Sequence, residues 1–243
     1  MTALFPHSQD VVYPETDGLP LSDNTKQFRL MMTTQGGLDA LFRDEKVFVA
    51  GNLLWFPVEG STEGKAPDVM VIFGQEKGDR TSYKQWEEGN LGPQVVFEFV
   101  SKTNSVKEVE VDKLAFYQQH GVEEYYIHDP DKGTLKGWMR QGNQFQPIRE
   151  MKGWTSPRLG IRFELMGKDL QLYYSNGERF ESYPELVARS QQERQRAERE
   201  RQAREREQQR AELAESQLAQ ERQRAERLAE QLRALGIDPN RLN

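Results

Sequence analysis

One carboxylate, that of Glu98, lies in the middle of an apolar run, where its negative charge needs a compensating partner. Glu98 falls within residues 95–100, which are apolar at both alternating parities and therefore predict a strand covered on both faces. An isolated carboxylate in such a place is costly or takes up a proton. Glu98 therefore needs a metal ion, a lysine or arginine, or a hydrogen bond from a neighbour such as Ser101.

Asp68 is the expected companion of Glu98. It follows Pro67 and opens the preceding apolar run, residues 68–73. If the two strands pair, both carboxylates converge at one edge of the sheet, where their repulsion favours Mg²⁺ or Mn²⁺. Such an ion lowers the pKa of water and so generates a nucleophile for hydrolysis. Taken alone, Asp68 also fits the simpler role of a residue that caps a turn.

A hydrolytic site of this kind also needs a cationic side chain. Three lysines follow the apolar run: Lys102, Lys107 and Lys113. Lys113 is the preferred candidate because it lies on a predicted helix, residues 105–120, with Tyr117 on the same face. Lys102 is interpreted as a solvated loop residue.

The elements that would position these residues predict an α/β domain with a mixed central sheet flanked by helices. Residues 27–42 predict a first helix, broken or bent near Gly36 and Gly37, and residues 105–120 a second. The predicted strands cover residues 47–50, 53–58, 68–73, 94–101, 124–128, 135–139, 145–148, 161–165 and 170–174.

Composition and charge exclude several other classes of protein. The chain has no cysteine, which excludes a disulfide scaffold, a thiolate metal site and a cysteine nucleophile. No apolar run approaches the roughly 20 residues that span a membrane, and the first residues do not resemble a signal peptide. We therefore expect a cytoplasmic protein without a membrane partner. The first 186 residues carry a net charge of −8, which disfavours a protein that coats DNA.

The last quarter of the sequence predicts one long helix. It is rich in Arg, Glu, Gln, Ala and Leu, and the octapeptide QERQRAER recurs after 28 residues, or four heptads. An apolar seam can be drawn through Ala197, Ala211, Ala214, Leu218, Ala225, Leu228, Leu232 and Leu235. Its second half is apolar except at Glu221, and its first half is weak. We expect a coiled coil that forms a homodimer, with residues 218–235 carrying the contact. The alternative is a solvated single helix.

Several short motifs of the sequence resemble those of a known family. The motifs that carry the resemblance are Pro67-Asp68, Glu98-Phe99-Val100-Ser101, Lys113 with Tyr117, and GVEEYYIHDP at residues 121–130. Together they look like the Uma2 family (also called DUF820) of restriction endonucleases, which is similar to the PD-(D/E)XK nucleases. The resemblance spans residues 23–181, and the tail resembles that of a cyanobacterial subgroup.

The resemblance implies a restriction-endonuclease-like core and metal-dependent hydrolysis of phosphodiester bonds, with DNA as the expected substrate. Asp68, Glu98 and the backbone carbonyl of Phe99 carry over as ligands of Mg²⁺, with Mn²⁺ as a possible substitute. Lys113 carries over as the catalytic lysine, because Val100 stands where the basic nuclease motif has a lysine. The acidic residue found on the first helix of many related nucleases has no clear match in residues 27–42.

The expected layout has four parts: an arm (1–23), the nuclease-like domain (24–183), the helical coiled coil (184–236) and a short terminal segment (237–243). A competing hypothesis comes from another class of function. In that hypothesis the nuclease fold is catalytically silent, and the protein acts as a binding or assembly module through its coiled coil.

Overall fold

The computed structural model describes residues 11–15, 18, 22, 24–101 and 108–236. The chain divides into two compact units between Tyr183 and Pro184. Most of the predicted arm and all of residues 237–243 lie outside the described residues, as do Lys102 and Lys107. Among the described residues, no helix combines the length and the apolar character that crossing a membrane requires.

The strands of the first unit are short. Those in the described residues are β1 (Val47–Ala50), β2 (Trp55–Phe56), β3 (Val69–Phe73), β4 (Tyr83–Lys84), β5 (Val95–Phe99), β6 (Glu124–Asp129), β7 (Thr134–Gln141), β8 (Gln144–Pro147), β9 (Arg162–Met166) and β10 (Asp169–Tyr173). Six of them form a mixed sheet in the order β1-β3-β5-β6-β7-β8, in which only β5 and β6 run parallel. The pairs β9–β10 and β2–β4 form two small separate sheets.

Helical segments precede, interrupt and follow the sheet. They are α1 (Thr25–Leu41), a 3₁₀ turn (Gln85–Glu88), a π-helical turn (Glu108–Lys113), α2 (Leu114–Gln119) and α3 (Tyr183–Ala234). Asn24 caps α1, since its side-chain oxygen accepts hydrogen bonds from the backbone N–H groups of Lys26 and Gln27. The π-helical turn leads directly into α2, so Lys113 ends the first segment and Leu114 begins the second.

Each face of the six-stranded sheet is covered by its own apolar core. On one face Phe97 shares a core with Met31 and Leu38 of α1. On the other face Val96 shares a core with Phe116 and Tyr117 of α2. Because both faces are buried, β3 and β5 read as largely apolar runs rather than alternating ones. The α/β class with a mixed sheet flanked by helices, and the long C-terminal helix, are therefore confirmed.

The sequence predicts a break or a bend in the first helix near Gly36 and Gly37, and the break is wrong. Helix α1 is continuous through Gly36 and Gly37, and it is closed at Phe42 by a backbone hydrogen bond to Leu38. The glycine pair has a packing role instead. A Cβ atom on Gly37 would overlap the ring of Phe180, and the Gly37 carbonyl accepts a hydrogen bond from the Tyr174 hydroxyl at 3.2 Å. Gly37 thus allows the chain that follows β10 to pack closely against α1.

The predicted strand at residues 53–58 shrinks to Trp55–Phe56, and β4 was not predicted. Both strands contain only two residues, and they pair in parallel through Trp55 with Tyr83 and Phe56 with Lys84. Segments this short have no period that a sequence pattern could show.

The two adjacent glycines of α1 should respond oppositely to the same substitution. Gly36 faces open space, so Gly36→Ala should raise the free energy of unfolding by roughly 0.5–1 kcal/mol through helix propensity. Gly37→Ala should lower it by about 1–3 kcal/mol, because Phe180 must move. Urea unfolding measures both changes. Equal stability of the two variants would contradict the role given to Phe180.

Candidate active site

The antiparallel pairing of β3 with β5 brings the two predicted carboxylates to one edge of the sheet. Val69 pairs with Phe97, and the same register extended by one residue sets Asp68 opposite Glu98. The backbone N–H of Phe99 donates to Oδ2 of Asp68 at 2.6 Å. The Asp68 side chain therefore continues the pairing of the two strands by one further hydrogen bond, and its position is fixed by the backbone that follows Glu98.

The Glu98 carboxylate is held on both of its oxygens. Lys113 Nζ lies 2.8 Å from Oε2, and the Tyr117 hydroxyl donates to Oε1 at 2.6 Å. Only 1% of Glu98 is exposed, so these contacts replace the water that the charge would otherwise require. Lys113 and Tyr117 are four residues apart, and one helical turn presents both to the same carboxylate. The lysine that the sequence predicts as a partner of Glu98 is therefore Lys113.

Burial and neighbouring charges set the protonation of this group. Burial and the charge of Glu98 raise the pKa of Asp68 to about 7, although Lys113, the Phe99 N–H and Gln27 act in the opposite direction. Burial alone would lower the pKa of Lys113, but the carboxylates of Glu98 and Asp68 outweigh it, and the pKa is raised. Lys113 is therefore charged at neutral pH, whereas the negative charge of Asp68 is incompletely compensated.

Gln27, near the start of α1, also reaches this site and was missed in the sequence. Its amide Nε2 donates to the Phe99 carbonyl at 2.9 Å, and its side chain also lowers the pKa of Asp68 through a hydrogen bond. A carbonyl oxygen has two lone pairs, so this contact leaves one for another partner. One signal could have identified Gln27. It carries the only amide side chain of the buried α1 stripe formed with Met31, Thr34 and Leu38.

Tyr125 supports the turn that carries Lys113. The side chains of Tyr125 and Ile127 lie on the same face of the sheet as Val96, and the Tyr125 hydroxyl donates to the Val109 carbonyl at 2.9 Å. Val109 lies inside the π-helical turn, where the extra residue changes the backbone hydrogen bonding. The hydroxyl of Tyr125 thus satisfies a carbonyl of this turn and fixes the segment that aims Lys113 at Glu98.

The donor atoms at this edge suit a hard divalent cation. Two carboxylates and a backbone carbonyl are oxygen ligands of the kind that Mg²⁺ takes. Within the described residues, no group of three or more His, Cys, Asp or Glu side chains could hold a metal ion. A cation here would therefore depend on Asp68, Glu98 and the Phe99 carbonyl. The incompletely compensated charge of Asp68 is the property that a cation would relieve.

The role of the Tyr125 hydroxyl can be measured without any enzymatic assay. Tyr125→Phe keeps the ring contacts with Tyr117 and Trp138 and removes only the hydrogen bond to Val109. We expect faster hydrogen–deuterium exchange at residues 109–114 and a loss of about 1 kcal/mol in the free energy of unfolding.

Tyr126→Phe is the matched control, because Tyr126 lies next in β6 but on the opposite face and donates to Glu124. It should lower stability by at least as much, because the Tyr126 hydroxyl also accepts a hydrogen bond from Trp154 Nε1, and it should leave exchange at residues 109–114 unchanged. The same exchange pattern in both variants would argue against a specific role for Tyr125.

The charge of Asp68 should be unfavourable for folding when no divalent cation is bound. Because the pKa is raised in the folded state, protonation favours folding, and stability falls as pH rises from the usual aspartate range to about 7. At pH 8, Asp68→Asn should therefore stabilise the protein by on the order of 1–3 kcal/mol. Thermal unfolding in the presence of a chelator measures the change.

Asp129→Asn should have the opposite effect at the same edge of the sheet. Burial raises the pKa of Asp129, but the Lys132 N–H and ammonium and the Asp131 N–H outweigh it, and the pKa is lowered. Its charge thus favours the folded state. A loss of stability in both variants would show that the Asp68 charge is well compensated.

Comparison with models of known families agrees with the resemblance drawn from the motifs. The model of the Uma2 family, "Putative restriction endonuclease", matches residues 33–165. Among solved structures, a "putative nuclease belonging to DUF820" from Anabaena variabilis ATCC 29413 is similar at 14% identity, covering 56% of this chain and 75% of that chain, with a TM-score of 0.43. None of the curated proteins compared with this chain matches it. Because the family model covers more than half of the sequence, including Asp68, Glu98 and Lys113, the chain belongs to the Uma2 family.

Proposed function

We propose that this protein is a divalent-cation-dependent nuclease that hydrolyses phosphodiester bonds, with DNA as its substrate. Membership of a family of restriction endonucleases supports the reaction class. The observation that carries the proposal is the buried Glu98 carboxylate, held by Lys113 and Tyr117 beside a second carboxylate, Asp68, from the neighbouring strand. A carboxyl group whose pKa burial raises, as for Asp68, is typical of catalytic centres when it lies beside other charged groups.

In this proposal Asp68, Glu98 and the Phe99 carbonyl hold Mg²⁺, and Mn²⁺ can replace it. When bound, the ion supplies a Lewis acid and lowers the pKa of water. Tyr117 and Lys113 fix the orientation of Glu98, while the Phe99 N–H fixes Asp68. The Lys113 ammonium, charged at neutral pH, stabilises the negative charge that develops on the phosphate and orients the attacking water.

The proposal also includes a homodimer formed through α3. Along this 52-residue helix the side chains are almost entirely exposed. Leu218, Leu228 and Leu235 are among the exposed leucines. A long helix with leucines on its surface is more stable when a second helix covers them.

The second candidate function is a catalytically silent nuclease fold that acts as an assembly module. One observation favours it: the Lys113 ammonium already neutralises Glu98, so the pair can be read as a structural ion pair. The two functions make different predictions for variants that remove both members of the pair.

A double-mutant cycle on Glu98 and Lys113 separates structure from catalysis. Glu98→Gln or Lys113→Met alone leaves one buried charge unpaired and should cost about 3–5 kcal/mol of stability. The double variant removes both charges and should recover much of that loss. Thermal unfolding of the four proteins gives the coupling energy.

The same four proteins are then incubated with mixed DNA and RNA substrates under Mg²⁺ and Mn²⁺. We expect the wild type to cleave DNA and the double variant to stay inactive despite its recovered fold. Lys113→Met should lower the rate by about 30- to 1,000-fold, or roughly 2–4 kcal/mol of transition-state stabilisation. Calorimetric Mg²⁺ affinity of this variant should hold or tighten, since an ammonium cannot ligate a cation.

Lys46→Ala is the control for the lysine, because Lys46 forms a solvent-exposed ion pair with Glu76 and should change neither stability nor rate. Undiminished cleavage by Glu98→Gln would refute the assigned site. A wild type that cleaves no substrate with either cation, although the pair is strongly coupled, would support the assembly module.

A further inference from the structure

The two halves of α3 differ in what their side chains contact. In the first half, ion pairs one helical turn apart join Arg189 to Glu193, Arg196 to Glu200 and Arg201 to Glu205. Such pairs support an exposed helix on its own. The second half carries the large apolar side chains of the seam, with Leu218 and Leu228 each about half exposed, at 50% and 51%. The second half is therefore the part that gains from a partner helix.

The order of large and small residues along this seam is not symmetric. Within residues 211–235, the seam positions are Ala211, Ala214, Leu218, Glu221, Ala225, Leu228, Leu232 and Leu235. Alanines occupy the first two positions and leucines the last three. Two identical copies can meet along this seam in parallel or in antiparallel orientation, and the two orientations pair different residues.

A parallel pair in register would place every residue against itself. Three layers would pair alanine with alanine and leave space that no side chain fills, while four would pair leucine with leucine. The two copies of Glu221 would face each other in the central layer. Like charges placed together away from water are unfavourable.

An antiparallel pair centred on Gln223 matches the seam with itself. Its layers are Ala211 with Leu235, Ala214 with Leu232, Leu218 with Leu228, and Glu221 with Ala225, each occurring twice by symmetry. Leucine lies opposite alanine in the outer layers, so that large and small side chains interdigitate. The two Glu221 carboxylates no longer meet, and each lies beside an alanine.

We propose that residues 211–235 of two copies pair in antiparallel orientation. The proposal rests on the homodimer of the proposed function and specifies its geometry. In straight helices, a rise of 1.5 Å per residue then sets the two copies of Pro184 about 115 Å apart. A parallel pair would set them about 10 Å apart. The antiparallel dimer would thus hold the two copies of Pro184 far apart.

Cysteine cross-linking can test this orientation, because the natural chain contains no cysteine. Leu218→Cys and Leu228→Cys are made separately in the full-length chain, mixed under reducing conditions, equilibrated and then oxidised gently. The antiparallel layer places the two thiols within disulfide range. We expect a cross-linked dimer as the main product of the mixture and a severalfold lower yield from either variant alone. Ala214→Cys mixed with Leu232→Cys probes the same register at a second layer.

Leu213→Cys is the matched control, because Leu213 is an exposed leucine of the same helix that lies outside the seam. It should not cross-link with any seam variant. Efficient cross-linking within a single seam variant would show a parallel pair and overturn the proposal while leaving the homodimer in place. Sedimentation of the wild type as a monomer would overturn both. Neither result depends on cleavage of nucleic acid. Failure of the proposed nuclease reaction would instead appear in the cleavage assay.

Discussion

The burial of the Glu98 carboxylate between two covered faces of a sheet is the constraint to which the surrounding structure responds. A charge in that position needs partners that arrive from other elements. The π-helical turn supplies Lys113 and α2 supplies Tyr117, one turn apart. The π-helical turn before α2 and the Tyr125 hydroxyl that holds it fix the direction from which the lysine arrives. The π-helical turn and α2 are thus positioned by their contacts with one side chain of β5, Glu98.

Strand pairing supplies the second half of the site. Because β3 runs antiparallel to β5, the residue that precedes β3 lies level with the residue near the end of β5, and Asp68 comes to Glu98 without a dedicated loop. The parallel neighbour β6 keeps β5 internal and buried, which raises the cost of both charges. The same topology that assembles the two carboxylates therefore prevents water from screening them, and this leaves the pKa of Asp68 raised.

Much of this arrangement follows from the sequence, and the exceptions have physical causes. Glu98 and Asp68 were identifiable because a carboxylate in an apolar run has few explanations, and Lys113 because it shares a helix face with Tyr117. Gln27 was not identifiable as a contact of Phe99, since the two residues are 72 positions apart and their contact depends on how α1 crosses the sheet. The glycine pair in α1 predicted a break or a bend in the helix. Gly37 instead leaves room for the ring of Phe180, and no local sequence pattern relates these two residues.

The contacts that compensate the buried charge of Glu98 also limit how its carboxylate could bind a cation. An oxygen that accepts a hydrogen bond from Tyr117 or an ion pair from Lys113 retains a lone pair, so a cation at this edge must share the carboxylate with them rather than displace them. If a cation shared the carboxylate in this way, the ammonium would stay beside Glu98, where it could stabilise negative charge that develops on a bound phosphate. If the cation instead displaced Lys113, the lysine would lose its partner in a buried site and the fold would weaken. If a cation bound at this edge, the energetics of the ion pair would therefore favour keeping Lys113 in place beside Glu98.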